Sequence, residues 1–259
     1  MGKWLGALVG ALVLGTAFPH LLKVVSAQLD STELLLVVSG IAVSGGIILH
    51  AFVGDGPYRK PATQFSFISL KKAFAIPDFR NASIGYFGHM WELYALWAFI
   101  PWLVELYKSQ NNNLPATSLL SFFAISIGAI GCAVGGLISA RHGSKRVANI
   151  ALLCSGMCCI FSPFIFESPP IVFMAFLAFW GLTVTADSPQ FSSLVASSVP
   201  AEIKGSAITL VTCIGFSITI VSIQLLSYLR GVIPNEFLLF ILGLGPTLGL
   251  IVPRMWQSH

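Results

Sequence analysis

The run TSLLSFFAISIGAIGCAVGGLIS, Thr117 to Ser139, contains no charged residue, and Ala140-Arg141-His142-Gly143-Ser144-Lys145-Arg146 follows at once. About 20 apolar residues cross the roughly 30 Å hydrocarbon core of a bilayer, so the run has the length and composition of a spanning helix. Its abrupt end in cations marks where the chain leaves the membrane, because Lys and Arg collect in cytoplasmic loops.

Seven further stretches of the same kind surround it: 4–22, 34–53, 83–107, 147–166, 170–187, 206–228 and 237–253. Loop residues separate them, as in Asn111-Asn112-Asn113-Leu114-Pro115 and Glu167-Ser168-Pro169-Pro170. Of the 259 residues, 56% are hydrophobic and 9% charged, with a mean hydropathy of +0.85. That leaves too little polar surface to clothe a soluble core. A transmembrane barrel would show alternating segments of about ten residues, whereas these are twice as long and continuously apolar. The expected fold is all-α, a polytopic membrane bundle of about eight transmembrane helices.

Charge sets the expected orientation. With the N-terminus inside, the inner loops hold Lys3, Arg59, Lys60, Lys71, Lys72, Arg80, Arg141, Lys145, Arg146, Lys204 and Arg254, leaving Lys23, Lys108 and Arg230 outside. Both termini are then cytoplasmic. The first span could also be read as a signal peptide cleaved after Val25-Ser26-Ala27, although Gly6, Gly10 and Gly15 suit a packed membrane helix better. The chain divides into two spans (1–53), a basic cytoplasmic linker (54–82) and a six-helix unit (83–259). Within the linker, Phe65 to Phe74 with Lys71 and Lys72 suits a short amphipathic helix on the membrane surface or a plain basic linker. The five cysteines lie inside spans without disulfide or zinc spacing and are expected to be free.

The loop after the fourth span, Gly136-Leu-Ile-Ser-Ala140-Arg141-His142-Gly143-Ser144-Lys145-Arg146, fits Gly-x-x-x-Asp-Arg-x-Gly-x-Lys-Arg at every fixed position except Ala140. Gly136 would allow close helix approach and Gly143 a tight turn. This pattern resembles the cytoplasmic loop signature of the major facilitator superfamily. Gly85 to Tyr94 and Ala186 to Ser192 are similar to stretches of bacterial members, including the cyanate and nitrate permease-like branches. The resemblance implies that spans three to eight form one six-helix half and that spans one and two end the other, so the chain is similar to helices five to twelve of twelve. It also implies that Gly136, Arg141, Gly143, Lys145 and Arg146 form a gating loop, with Arg141 held by an acid on the fourth helix of the same half. Asp187 stands at that place, though Asp-Ser-Pro also suits a helix cap.

Glu92 lies about nine residues into the third span, near the bilayer midplane, where an ionisable group is costly and marks a function by default. Gly85, Gly88, His89, Glu92, Ala95 and Phe99 share one helix face, with Tyr86, Tyr94 and Trp97 flanking the opposite side. A proton or substrate pathway through Glu92, His89, Tyr86, Trp180 and Thr183 is one reading, and a His89–Glu92 pair that fixes packing is the other. Thr209, Thr212, Ser217, Thr219 and Gln224 in the seventh span suit hydrogen bonds between helices.

These features predict a secondary transporter of a small solute by alternating access, driven by an ion gradient, most simply protons, in a bacterial inner membrane. The alternative is a non-transporting fragment or assembly partner that needs a second chain to complete the cavity. No phosphate-binding loop, metal set or catalytic motif is present, so neither a cofactor nor an enzyme is expected. The expected partners are the lipid bilayer and a small-molecule substrate, with no nucleic acid.

Overall fold

A computed structural model describes residues 2–25, 30–54, 67–111 and 114–255. The helices are α1 (Gly2–Val25), α2 (Ser31–Phe52), α3 (Phe67–Ala75), α4 (Pro77–Lys108), α5 (Thr117–His142), α6 (Ser144–Phe161), α7 (Pro170–Ala186), α8 (Ser188–Ser197), α9 (Lys204–Leu229) and α10 (Leu244–Met255). Short 3-10 turns at Ser162–Glu167, Asn235–Phe237 and Leu239–Gly243 extend α6 and lead into α10. Among the described residues no strand forms, and the chain is all-α. The possible cleavage site at 26–27, most of the linker at 55–66, and Asn112 and Asn113 lie outside the described residues.

Seven spans meet the length and apolarity of a membrane crossing: 4–25, 31–52, 117–142, 144–167, 170–197, 204–229 and 235–253. The eighth expected segment, 83–107, lies within α4, which has 32 residues but falls short of the apolarity of the seven. Its polar side chains are shielded because α4 occupies the middle of the bundle, packed against α5, α8, α9 and α10. α4 also begins earlier than expected. Ile76 turns the chain, and Pro77 and Asp78 start the helix, a combination suited to the orphan amides and positive pole of a helix N-terminus.

Lipid tails are as apolar as Leu, so these helices associate by close packing more than by escape from water. The α5 face Ser121, Ala124, Gly128, Gly131, Cys132, Gly135, Gly136 and Ser139 is buried at helical spacing. A methyl at Gly131 would fall on the Leu182 carbonyl, and one at Gly181 on the Ala124 carbonyl, so α5 and α7 touch through their backbones. Gly6 of α1 sits likewise against Cys132 and Gly136. Large residues on the other side of α5, such as Phe123, Ile130 and Leu137, are exposed, as befits a lipid-facing surface.

The apolar interior forms two clusters, one around Leu93, Leu96, Ile100, Trp180 and Leu239, the other around Phe79, Tyr86, Leu152, Phe191 and Val211. Along α4 the boundary between them falls at His89 to Glu92, and a polar layer occupies it. In α2, by contrast, no residue is buried. Within the basic linker α3 forms as a helix, with Lys71 and Lys72 exposed and Ala73 buried against the bundle.

Candidate functional site

Glu92 is fully buried and meets three donors. Its Oε2 accepts from Ser155 Oγ at 2.9 Å, and its Oε1 accepts from Trp180 Nε1 at 2.8 Å and from Cys159 Sγ at 3.3 Å. Those partners lie on α6 and α7, so this carboxylate ties three helices together. An ionised carboxylate offers only acceptors, and three donors suit it. Trp180, a candidate in the sequence, lies beside Glu92 as a hydrogen-bond donor. Ser155 and Cys159 carried no signal in the sequence, because a Ser and a Cys on an apolar helix are ordinary packing residues. Thr183 stays on its own helix, donating to the carbonyls of Phe179 and Trp180.

The expected pairing of His89 with Glu92 is not formed. His89 Nδ1 lies 2.9 Å from Asp187 Oδ1, with both side chains out of solvent. The contact is close but off the line of a well-aligned hydrogen bond. His89 Nε2, Asp187 Oδ2 and both ends of the buried Gln190 amide find no hydrogen-bond partner among the described residues. Residues three apart on a helix share a face only loosely. Here Glu92 is turned to α6 and α7 while His89 is turned to α8.

The expected Arg141–Asp187 pair is also not formed. Arg141 is exposed at the end of α5, whereas Asp187 is buried at a break inside one continuous span, 170–197. The span does not end at Asp187 as the sequence suggested, because α8 resumes at once with Pro189 in its first turn. Asp187 therefore stands about ten residues, or roughly 15 Å, from the end of that span. The other loop residues behave as their types require. Gly136 is buried under α1, and Gly143 takes φ +83° in the one-residue turn between α5 and α6, a region that favours glycine. Lys145 and Arg146 are exposed, and Lys145 borders a polar hollow of about 380 Å³ together with Asp78, Asn81 and Asn149.

A second cavity, of about 220 Å³, lies between α1, α4, α7, α8 and α9. Val13 borders it from α1, Tyr86, Tyr94 and Trp97 from α4, Thr185 from α7, Ser188 and Ser192 from α8, and Thr212 and Phe216 from α9. Tyr86, Tyr94 and Trp97 were legible as one side of α4, and the structure brings all three to this wall. Tyr86 packs beside His89, with ring centroids 6.2 Å apart, so the cavity adjoins the polar layer. Phe191 lies over Gly85 so closely that a methyl there would overlap its ring, which seats α8 on α4. From α9, Thr219 Oγ1 donates to the Met90 carbonyl at 3.2 Å, the interhelical role expected of that group. All five cysteines are free.

Among comparisons with known proteins, the family model described as Major Facilitator Superfamily matches residues 1–223, most of the chain. No curated protein matches it.

Proposed function

This chain belongs to the Major Facilitator Superfamily and is an integral membrane protein of a transporter family, and from that premise we propose that it moves a small solute by alternating access, driven by an ion gradient, most simply protons. The observation that carries the reading is the 220 Å³ cavity whose wall residues Tyr86 and Ser188 adjoin the His89–Asp187 contact. A buried His and Asp at hydrogen-bonding distance, with unpartnered nitrogen and oxygen atoms left over, can hold or release a proton, and such groups inside a membrane bundle are costly unless used. They sit at the break between α7 and α8, where a span interrupted by Pro189 can bend. Interrupted helices beside a binding site near the midplane are a general device of secondary transporters.

In this reading Tyr86 belongs to the substrate wall and His89 with Asp187 to the coupling site. Glu92, with Ser155 and Trp180, holds α4 against α6 and α7, while Thr183 bonds within α7. Arg141, Lys145 and Arg146 then lie on the cytoplasmic face with both termini, and the turn at Gly143 fixes the angle between α5 and α6. A bacterial inner membrane is the expected location. The test is uptake from a panel of small solutes into proteoliposomes under an imposed pH gradient. Asp187→Asn should lose gradient-driven uptake while keeping solute exchange; unchanged gradient-driven uptake would refute the coupling role.

A second reading, assembly with another membrane chain, is favoured by α2. Its 22 residues include none that is buried, and its contact with α1 leaves Leu34 and Val38 only partly covered, so this helix presents most of its circumference to lipid or to a partner.

A further inference from the structure

The side chains bordering the 220 Å³ cavity are apolar, aromatic or hydroxyl-bearing, and none is charged. Charge nevertheless surrounds it unevenly. No Lys or Arg occurs in 4–22, 81–107, 109–140, 147–203 or 205–229, the segments that build the membrane interior of the bundle, whereas Glu92 and Asp187 lie within them. Both acids are fully buried, and each neighbours the cavity wall in sequence: Asp187 precedes Ser188, and Glu92 lies between Met90 and Tyr94. His89, against Asp187, is a further titratable group of this layer, with Tyr86 beside it and Cys159 on Glu92. Neither acid lines the cavity itself, yet an anion entering such an interior would come near two buried carboxylates and no Lys or Arg, while losing its hydration. A cation would meet the favourable sign.

The wall itself supplies what a desolvated organic cation requires. Tyr94 packs on Trp97 with centroids 5.2 Å apart in an edge-to-face pair, and on Phe216 at 5.4 Å. Tyr86 adds a fourth ring to the same cavity. Aromatic faces attract ammonium groups through the ring quadrupole, most strongly where water is excluded. Trp97 Nε1 is buried and has no acceptor among the described residues, so an oxygen of the solute, or water, can take that hydrogen bond. Ser188 and Thr212 offer hydroxyls nearby.

We propose that the solute recognised in this cavity is a small organic monocation of the quaternary or alkylated ammonium class, held by the rings of Tyr86, Tyr94, Trp97 and Phe216 within an interior whose fixed charges are acids. The assignment rests on the transport reading above and gives it a substrate class. It is separate from ion coupling, which concerns His89 and Asp187.

Equilibrium dialysis on the detergent-purified full chain tests it, with three radiolabelled probes of similar size: benzyltrimethylammonium, its uncharged carbon isostere neopentylbenzene, and phenylacetate. The cation should bind at least about tenfold more tightly than either of the others, the scale of one desolvated cation–π contact. Tyr94→Leu and, as an independent variant, Phe216→Leu should each erase most of that preference while the melting temperature shows the protein still folded. Equal affinity for the cation and its carbon isostere would overturn the assignment, as would tighter binding of phenylacetate, binding of none of the probes, or a preference untouched in both variants. Reaction of Ser192→Cys with a water-borne thiol reagent, measured in parallel, keeps the two readings apart. An accessible cysteine without cation preference refutes the solute class alone, and an inaccessible one refutes the transport cavity.

Discussion

His89 Nδ1 and Asp187 Oδ1 lie 2.9 Å apart in a layer closed to solvent, and this contact joins the central helix α4 to the break between α7 and α8. Arg141 is exposed at the end of α5, away from this closed layer, and neither residue shares Glu92's three hydrogen bonds. The polar layer is thus divided. Glu92 is closed off by its donors, whereas His89, Asp187 and Gln190 retain unpartnered atoms.

A double-mutant cycle reads this division directly. His89→Gln and Asp187→Asn should couple by about 0.5–2 kcal/mol in detergent stability, the range of interhelical polar contacts in membranes. Arg141→Ala and Asp187→Asn should add to within about 0.5 kcal/mol, as distant sites do. Strong coupling of Arg141 with Asp187 would reverse the assignment.

Glu92 is expected to matter to folding before transport. Glu92→Leu strands the Trp180 indole N–H, while the Ser155 hydroxyl can keep the Leu152 carbonyl, and should cost about 1–3 kcal/mol for the donor left unsatisfied. Glu92→Gln keeps an acceptor and should lower the melting temperature less, with gradient-driven uptake retained. A folded Glu92→Gln protein without that uptake would place Glu92 in the proton pathway.

The glycines separate into tight and open positions. Gly131→Ala and Gly181→Ala place methyls on carbonyl oxygens of the facing helix and should prevent recovery of folded protein. Gly205→Ala, with open space around it, should be neutral or stabilising, since alanine favours helix by about 1 kcal/mol over glycine. Gly143→Ala should cost about 1 kcal/mol, because φ +83° is strained for any residue with a Cβ. The yield of folded protein for the first two variants and the melting temperature of the other two give the order.

Orientation is tested by cysteine labelling in sealed right-side-out cells. Probes at Gln110 and Glu167 should react with an impermeant reagent added outside, and probes at Lys71 and His142 should not. Reaction at Lys71 or His142 from outside would invert the proposed topology.

Much of the bundle was legible because spanning helices announce themselves by length: the expected runs at 117–139 and 170–187 begin where α5 and α7 begin. The exception, α8, follows Asp187-Ser-Pro189, a pattern that reads equally well as the end of a span or as a break within one. Glu92, His89 and Asp187 stood out singly, since ionisable residues are rare in apolar segments. Their partners did not. Residue spacing along α4 fixes a face only to within a quarter-turn, and which helix lies opposite that face depends on packing across 60 or more residues of sequence, as with Ser155 and Glu92. The Tyr86, Tyr94 and Trp97 side of α4 was visible, but Phe216 and Thr212 reach it from α9 only in the folded bundle.

The most direct test of the central claim, that the cavity between α1, α4, α8 and α9 opens alternately to each side of the membrane, is the modification rate of Ser192→Cys. Exposed Cys213 is replaced, and an impermeant thiol reagent is applied from either side of sealed vesicles. The account predicts reaction from both sides, with rates that shift in opposite directions when His89 or Asp187 is substituted. Reaction from one side alone, or rates indifferent to those substitutions, would contradict it.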